Sequence, residues 1–176
     1  MQDMNPVTKL PALREVINWF GSSLSTAHSD SYLSVTVYEI TKYIYILENY
    51  GINAVDEMIS AVADMLQRIR NNNSFIGHIS DERFVIIQHY PEMDNTDDIL
   101  SALENDNKIL DSEIEKYNNI EGKPYVIELD YGYITAEPGW KDSFENFFRL
   151  ANSEMLIKKK KNIYYYKRDF NTVINS

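Results

Sequence analysis

The sequence predicts an α+β domain of the ferredoxin-like type, a mainly antiparallel sheet with helices packed around it. Three observations predict it. Short runs rich in β-branched and aromatic residues alternate with longer stretches in which apolar residues recur at spacings of three and four. The order is helix, β, α, α, β, β, α, β, α, β, a βααββαβ core behind an N-terminal helix. The 176 residues, 44% hydrophobic and 25% charged, have a globular composition and suffice for one domain, residues 1–176, with its own core.

Each element has a local warrant. "VTKLPALREVINWF" places Leu10, Leu13, Ile17 and Phe20 on one helical face, and Gly21-Ser22-Ser23 is expected to stop that helix. "YLSVTVYEI" alternates through Leu33, Val35 and Val37 and reads as a strand ending near Glu39. "TKYIYILENYG" reads as a short helix with Thr41 as cap and Gly51 as terminator. Asn53 is expected to cap a longer helix whose apolar face is Ile52, Val55, Ile59, Val62, Leu66 and Ile69.

"FIGHISDERFVII" follows, two apolar runs around a charged tip, and predicts a hairpin over residues 75–79 and 84–89. An acidic helix comes next, with Ile99, Leu100, Leu103, Ile109, Leu110 and Ile114 on its buried side. "YVIELDYGYITA" is expected to be a strand, "DSFENFFRLANSEMLIKKKK" a helix, and "NIYYYKR" a last short strand.

Composition narrows the function. A net charge of −10 makes a nucleic-acid polymer a poor partner, because phosphate binding needs a concentrated basic surface. No apolar run reaches the 18 residues of a membrane span, so no membrane contact is expected and the domain is read as cytoplasmic. The absence of cysteine excludes disulfides and thiolate metal sites. His28, His78 and His89 show no zinc-ligand spacing.

Four stretches in this order resemble the signature of the GGDEF domain, the diguanylate cyclase module of bacteria, over about residues 5–168. "NPVTKLPAL" is similar to D-x-L-T-G-L-P-N-R, with Lys9 in place of the glycine. "VYEITKYIYILENYGINAVDEMI" resembles I-D-I-D-x-F-K-x-I-N-D-x-Y-G-H-x-x-G-D-x-x-L. "HISDERFVII" falls where R-Y-G-G-D-E-F is expected, and "LANSEMLIKKKKN" where A-D-x-A-L-Y-x-A-K-x-x-G-R-N is expected. The resemblance implies a nucleotide-cyclase variant of the ferredoxin-like fold, with residues 169–176 as a tail or a linker to a following domain.

In that family two domains face each other, each holding GTP with Mg or Mn, and each 3′-hydroxyl attacks the other nucleotide's α-phosphate to form cyclic di-GMP. By resemblance the metal would be held by Glu39, the Ile40 carbonyl and Glu82. Glu39 and Glu82 also read as solvated strand-end acids. Ser80, Asp81, Glu82, Arg83 and Phe84 occupy the five signature positions, so both glycines carry side chains and an essential acid has become a cation.

Nucleotide contact would fall to Asp56, equally readable as a helix N-terminal acid, and to Lys158, Lys159 and Lys161, equally readable as a solvated helix end. Leu47 stands where an asparagine recognises guanine. Asn71 and Ser74 stand where the inhibitory R-x-x-D would be, so no inhibitory site is inferred.

The expected function is therefore that of a degenerate GGDEF domain, a regulatory or interaction module able to bind GTP without cyclising it. The partners implied are GTP, a second copy, or an adjacent EAL phosphodiesterase domain. A metal-dependent cyclase or other nucleotide-processing enzyme using Glu39 and Glu82 is the alternative. In a third reading Arg83 forms internal ion pairs with Glu82, Glu39 or Asp81 and makes the metal superfluous.

Overall fold

β1 (Tyr32–Ile40) runs through the middle of the protein, buried on both faces for most of its length. It pairs antiparallel with β3 (Arg83–Tyr90) on one side and β4 (Leu129–Ala136) on the other. β2 (Ser74–Ser80) closes the sheet against β3, giving the order β2-β3-β1-β4 with every pairing antiparallel. The structure, a computed structural model, describes residues 3–24 and 27–174; the side chains of residues 24, 27, 28 and 161–174 lie outside that description.

Strand alternation sorts side chains to two layers. Tyr38, Ile40, Phe84, Ile86 and Ile76 turn toward α3 (Ile52–Ile69) and α4 (Thr96–Asn118), where Val55, Met58, Val62, Leu66 and Leu110 complete the larger core. Leu33, Val35, Val37, Val85 and Ile87 turn the other way, against Val16 and Phe20 of α1 (Leu13–Leu24) and Phe144, Phe147 and Ala151 of α5 (Phe144–Ile174). Glu39 continues the Leu33–Val35–Val37 row, so the α1/α5 layer ends in a charge.

α2 (Tyr43–Tyr50) packs on α3 and buries Ile46 alone. Gly51, at φ 85°, ends it with its N–H donating to the Leu47 carbonyl (3.0 Å), as expected from the sequence. Among the described residues no helix is long and apolar enough to cross a membrane.

Several expectations need correction. Residues 162–168 are not a strand: α5 runs unbroken from Phe144 to Ile174 and so also takes in residues 169–174, expected as a tail. No glycine or proline interrupts that stretch, and extending a helix already nucleated adds one hydrogen bond per residue fixed. β4 starts at Leu129, four residues later than predicted. α1 continues through Gly21-Ser22-Ser23 to Leu24, where Ser22 and Ser23 hydroxyls donate to the Asn18 and Trp19 carbonyls (both 3.0 Å).

Of the expected apolar face, Leu10, just ahead of α1, and Phe20 are buried, but Leu13 and Ile17 are exposed and Val16 joins Phe20 on the sheet-facing side instead. On α4, Leu100 and Ile109 are exposed, and Asn107 is buried with its amide accepting from the Tyr38 hydroxyl (3.0 Å). Neither Thr41 nor Asn53 caps a helix. Thr41 bonds Glu128 instead, Asn53 lies inside the first turn of α3, and Ile52 is exposed.

Candidate functional site

The predicted hairpin forms, with Asp81 and Glu82 as the turn between β2 and β3. Its tip is tied in two ways. The Ile40 N–H donates to the Glu82 carbonyl (2.8 Å), bringing the end of β1 to the turn. The buried His78 ring stacks on Phe84 and bonds the Asp81 carbonyl through Nε2 (3.2 Å) and the Thr8 hydroxyl through Nδ1 (3.0 Å). A carbonyl only accepts, so Nε2 carries the proton and Thr8 donates to Nδ1. Burial, offset in part by the Asp81 carbonyl, holds the His78 pKa below its ordinary value, which favours the neutral ring. Phe84 and His78 thus brace the tip.

Register brings the charges together. Glu39 lies opposite Arg83 across β1/β3 and opposite Asp130 across β1/β4. Arg83 Nε donates to Glu39 Oε2 at 3.0 Å, and Lys159 Nζ, reaching down from α5, donates to Glu39 Oε1 at 2.8 Å. Lys159 also pairs with Asp130 Oδ2 at 3.2 Å. The four side chains are all partly shielded from water, and their formal charges cancel. Burial disfavours the Glu39 carboxylate, but Lys159 and then Arg83 outweigh it and lower its pKa. Burial likewise disfavours charged Lys159, and the bonds from Glu39 and Asp130 outweigh it.

Glu39, Asp130 and Lys159 of this cluster form one wall of a cleft of ≈ 810 Å³ that also takes in Ile40, Lys42, Tyr43, Glu82 and Glu128. Lys42, in the left-handed conformation at φ 59°, pairs with Glu128 at 2.9 Å. Tyr43 has its pKa raised, first by burial and then by the negative charges of Asp81, Glu82 and Asp56. The cleft mouth is therefore acidic, a field that opposes a triphosphate.

The residues expected to hold a metal do not present a metal site in this arrangement. A hard divalent ion needs carboxylate oxygens directed at it. Both oxygens of Glu39 are engaged by cationic heads, one of them a guanidinium that stays charged. Glu82 and the Ile40 carbonyl remain beside the cleft without the central carboxylate.

Of the expected nucleotide contacts, Asp56 lies near Tyr43 at the start of α3. Lys159 joins the cluster, whereas Lys158 turns to the opposite side of β4, with its ammonium 4.4 Å from the Tyr131 ring centre and 4.9 Å from that of Tyr133. The Lys161 side chain lies outside the described residues. Asn71 and Ser74 are absorbed in local bonds: Asn71 N–H donates to Gln88 Oε1 (2.8 Å), and Ser74 Oγ donates to the Asn71 carbonyl (2.6 Å). Sequence reasoning missed Asp130 and His78. Asp130 sits two residues before Gly132 on the same strand face, but only the β1/β4 register makes it a neighbour of Glu39.

The family model described as diguanylate cyclase, GGDEF domain, matches residues 2–163. The GGDEF domain of FimX from Pseudomonas aeruginosa is similar at a TM-score of 0.70 and 12% identity, over 92% of this chain and 96% of that one. The GGDEF domain of DgcB from Caulobacter crescentus, in complex with c-di-GMP, is similar at 0.73 and 15%, over 92% and 93%. Diguanylate cyclase SiaD from Pseudomonas aeruginosa, in complex with its activator SiaC, is similar at 0.71 and 16%, over 90% of this chain and 58% of SiaD. No curated protein matches the sequence. At such identities the structural likeness carries the fold, while the sequence match spans nearly the whole chain: the protein belongs to the diguanylate cyclase GGDEF domain family.

Proposed function

We propose that this GGDEF domain does not form cyclic di-GMP and serves as a regulatory and interaction module in cyclic di-GMP signalling. The observation that carries the reading is the clasp on Glu39. Arg83 and Lys159 hold the two oxygens that a metal would need, at 3.0 and 2.8 Å, in a cluster that is already neutral. Metal binding there would have to displace two charge-assisted hydrogen bonds and then sit beside a permanent cation.

Three further features support the same conclusion. Asp81 and Glu82 add negative charge where phosphates would lie, and Leu47 packs against the core with no amide to read a base. Lys159, the lysine best placed to meet phosphate, is committed to two carboxylates.

The test is incubation with millimolar GTP and Mg²⁺ or Mn²⁺, following both cyclic di-GMP and the melting temperature. No product and no rise in Tm are expected, since a ligand that binds only the native state raises Tm by mass action. Cyclic di-GMP formed at a rate lost in Glu82→Ala overturns the reading in favour of a cyclase. A rise in Tm without turnover keeps the regulatory role and returns an uncleaved nucleotide to the cleft.

A further inference from the structure

α2 is poorly partnered for so apolar a helix. Of its eight residues, "YIYILENY", only Ile46 is buried, while Ile44 and Tyr45 are 59% and 55% exposed. A helix this short draws its stability from packing rather than propensity, and exposed apolar surface of this kind marks an interaction site.

The exposed side of α2 borders a continuous groove. The cleft of ≈ 810 Å³ shares Lys42 and Tyr45 with a second depression of ≈ 260 Å³. That depression shares Tyr50 and Tyr125 with a third, of ≈ 390 Å³, at the start of α3. The groove thus leads from the signature hairpin along α2, with Ile44, Tyr45, Tyr50 and Val126 as an apolar and aromatic wall.

Its charge has one sign to offer. Six acids and three lysines line it, and each lysine is already paired: Lys42 with Glu128, Lys159 with Glu39 and Asp130, Lys123 with Glu57. With Arg83 also paired to Glu39, the groove carries two net negative charges, and Glu82 and Glu121 at its two ends are free of such pairs among the described residues.

We infer that the groove along α2 docks a basic amphipathic segment of a partner protein. Its apolar side packs on Ile44, Tyr45 and Tyr50, and its lysine or arginine side chains meet Glu82 and Glu121. This deepens the interaction-module reading and rests on it. Charge complementarity selects the occupant. A second copy would bring the same acidic rim and another net charge of −10, and an anionic lipid surface would be repelled.

The test uses the 176-residue chain and a labelled helical peptide of leucine and lysine in amphipathic order, with a scrambled version of equal charge and a leucine–glutamate counterpart. Anisotropy should show the ordered basic peptide binding about tenfold tighter than the scrambled one, no binding of the acidic one, and weakening as salt rises from about 0.1 to about 0.5 M. The double variant Ile44→Ser, Tyr45→Ser should weaken binding about tenfold with Tm unchanged, because both side chains are exposed. Equal binding of the scrambled peptide, or undiminished binding by the double variant, overturns the inference. Self-association that the double variant abolishes gives the face to a second copy and also overturns it. Cyclic di-GMP formation is a separate readout and sinks the interaction-module reading itself, so the two failures are distinguishable.

Discussion

Gly132 and Asp130 lie two residues apart on one face of β4, and both meet α5, but in opposite ways. At Gly132 the helix backbone comes so close that a Cβ would stand 2.8 Å from Met155 Cα and nearer still to the Ala151 carbonyl and the Met155 N–H. At Asp130 the contact is a long side chain reaching down, Lys159 Nζ at 3.2 Å. The first contact is steric and admits one residue type. The second is electrostatic and admits any arrangement in which opposite charges balance. That contrast separates two kinds of constraint on one layer: backbone packing at Gly132 fixes the residue type, whereas the charged end at Asp130 requires only that opposite charges meet.

The largest expected effect breaks the steric side. Gly132→Ala should cost about 3 kcal/mol by overpacking, because the atoms it meets are backbone and cannot swing aside. In a domain of this size that lowers Tm by about 6–12 °C. A Tm within about a degree of the wild type would show that α5 is not pinned to β4 there.

The electrostatic side should respond less, and in a pH-dependent way. Glu39→Gln leaves Arg83 and Lys159 facing each other across a neutral amide and should cost about 1–3 kcal/mol near pH 7. Because Glu39 has a folded pKa below 4.5, the unfolded chain takes up the proton first as pH falls. The stabilisation is thus present above about pH 4.5 and lost as pH falls through the lower folded value. Tm curves of wild type and variant should converge on the acid side. A constant gap down to pH 3 would mean that the clasp is not what the substitution removes.

The smallest effect concerns Lys9, which stands in the left-handed conformation at φ 60°. A left-handed lysine costs about 1–2 kcal/mol, of which a glycine's extra unfolded-state freedom cancels part. Lys9→Gly should therefore stabilise by about 0.5 kcal/mol, while Lys9→Ala, which keeps the strain and removes the charge, should not. Equal Tm values for the two variants would remove the conformational explanation.

Much of the scaffold was legible because its signals are local. The alternation in β1, the three-and-four spacing of α3, the charged tip between two apolar runs and Gly51 after α2 each depend on residues within a few positions of one another. The misreadings arose where two local answers were both available. Residues 162–168 have strand-favouring tyrosines yet continue a helix, and α1 turns Val16 with the expected Phe20 to the sheet while leaving Leu13 and Ile17 outside. In such cases the neighbour that covers a face decides, and no window along the chain contains that neighbour.

The candidate site divides along the same line. By itself the sequence determined which residue types stand at the hairpin tip, Ser80, Asp81, Glu82 and Arg83 between two apolar runs. Only the tertiary structure decided that Arg83 would face Glu39, that Lys159 rather than Lys158 would reach the site, and that Asp130 would complete it. The physical reason is range. Arg83 and Lys159 lie 44 and 120 positions from Glu39, and their pairing follows from strand register and the close approach of α5 over Gly132, which exist only once the sheet and helix have packed.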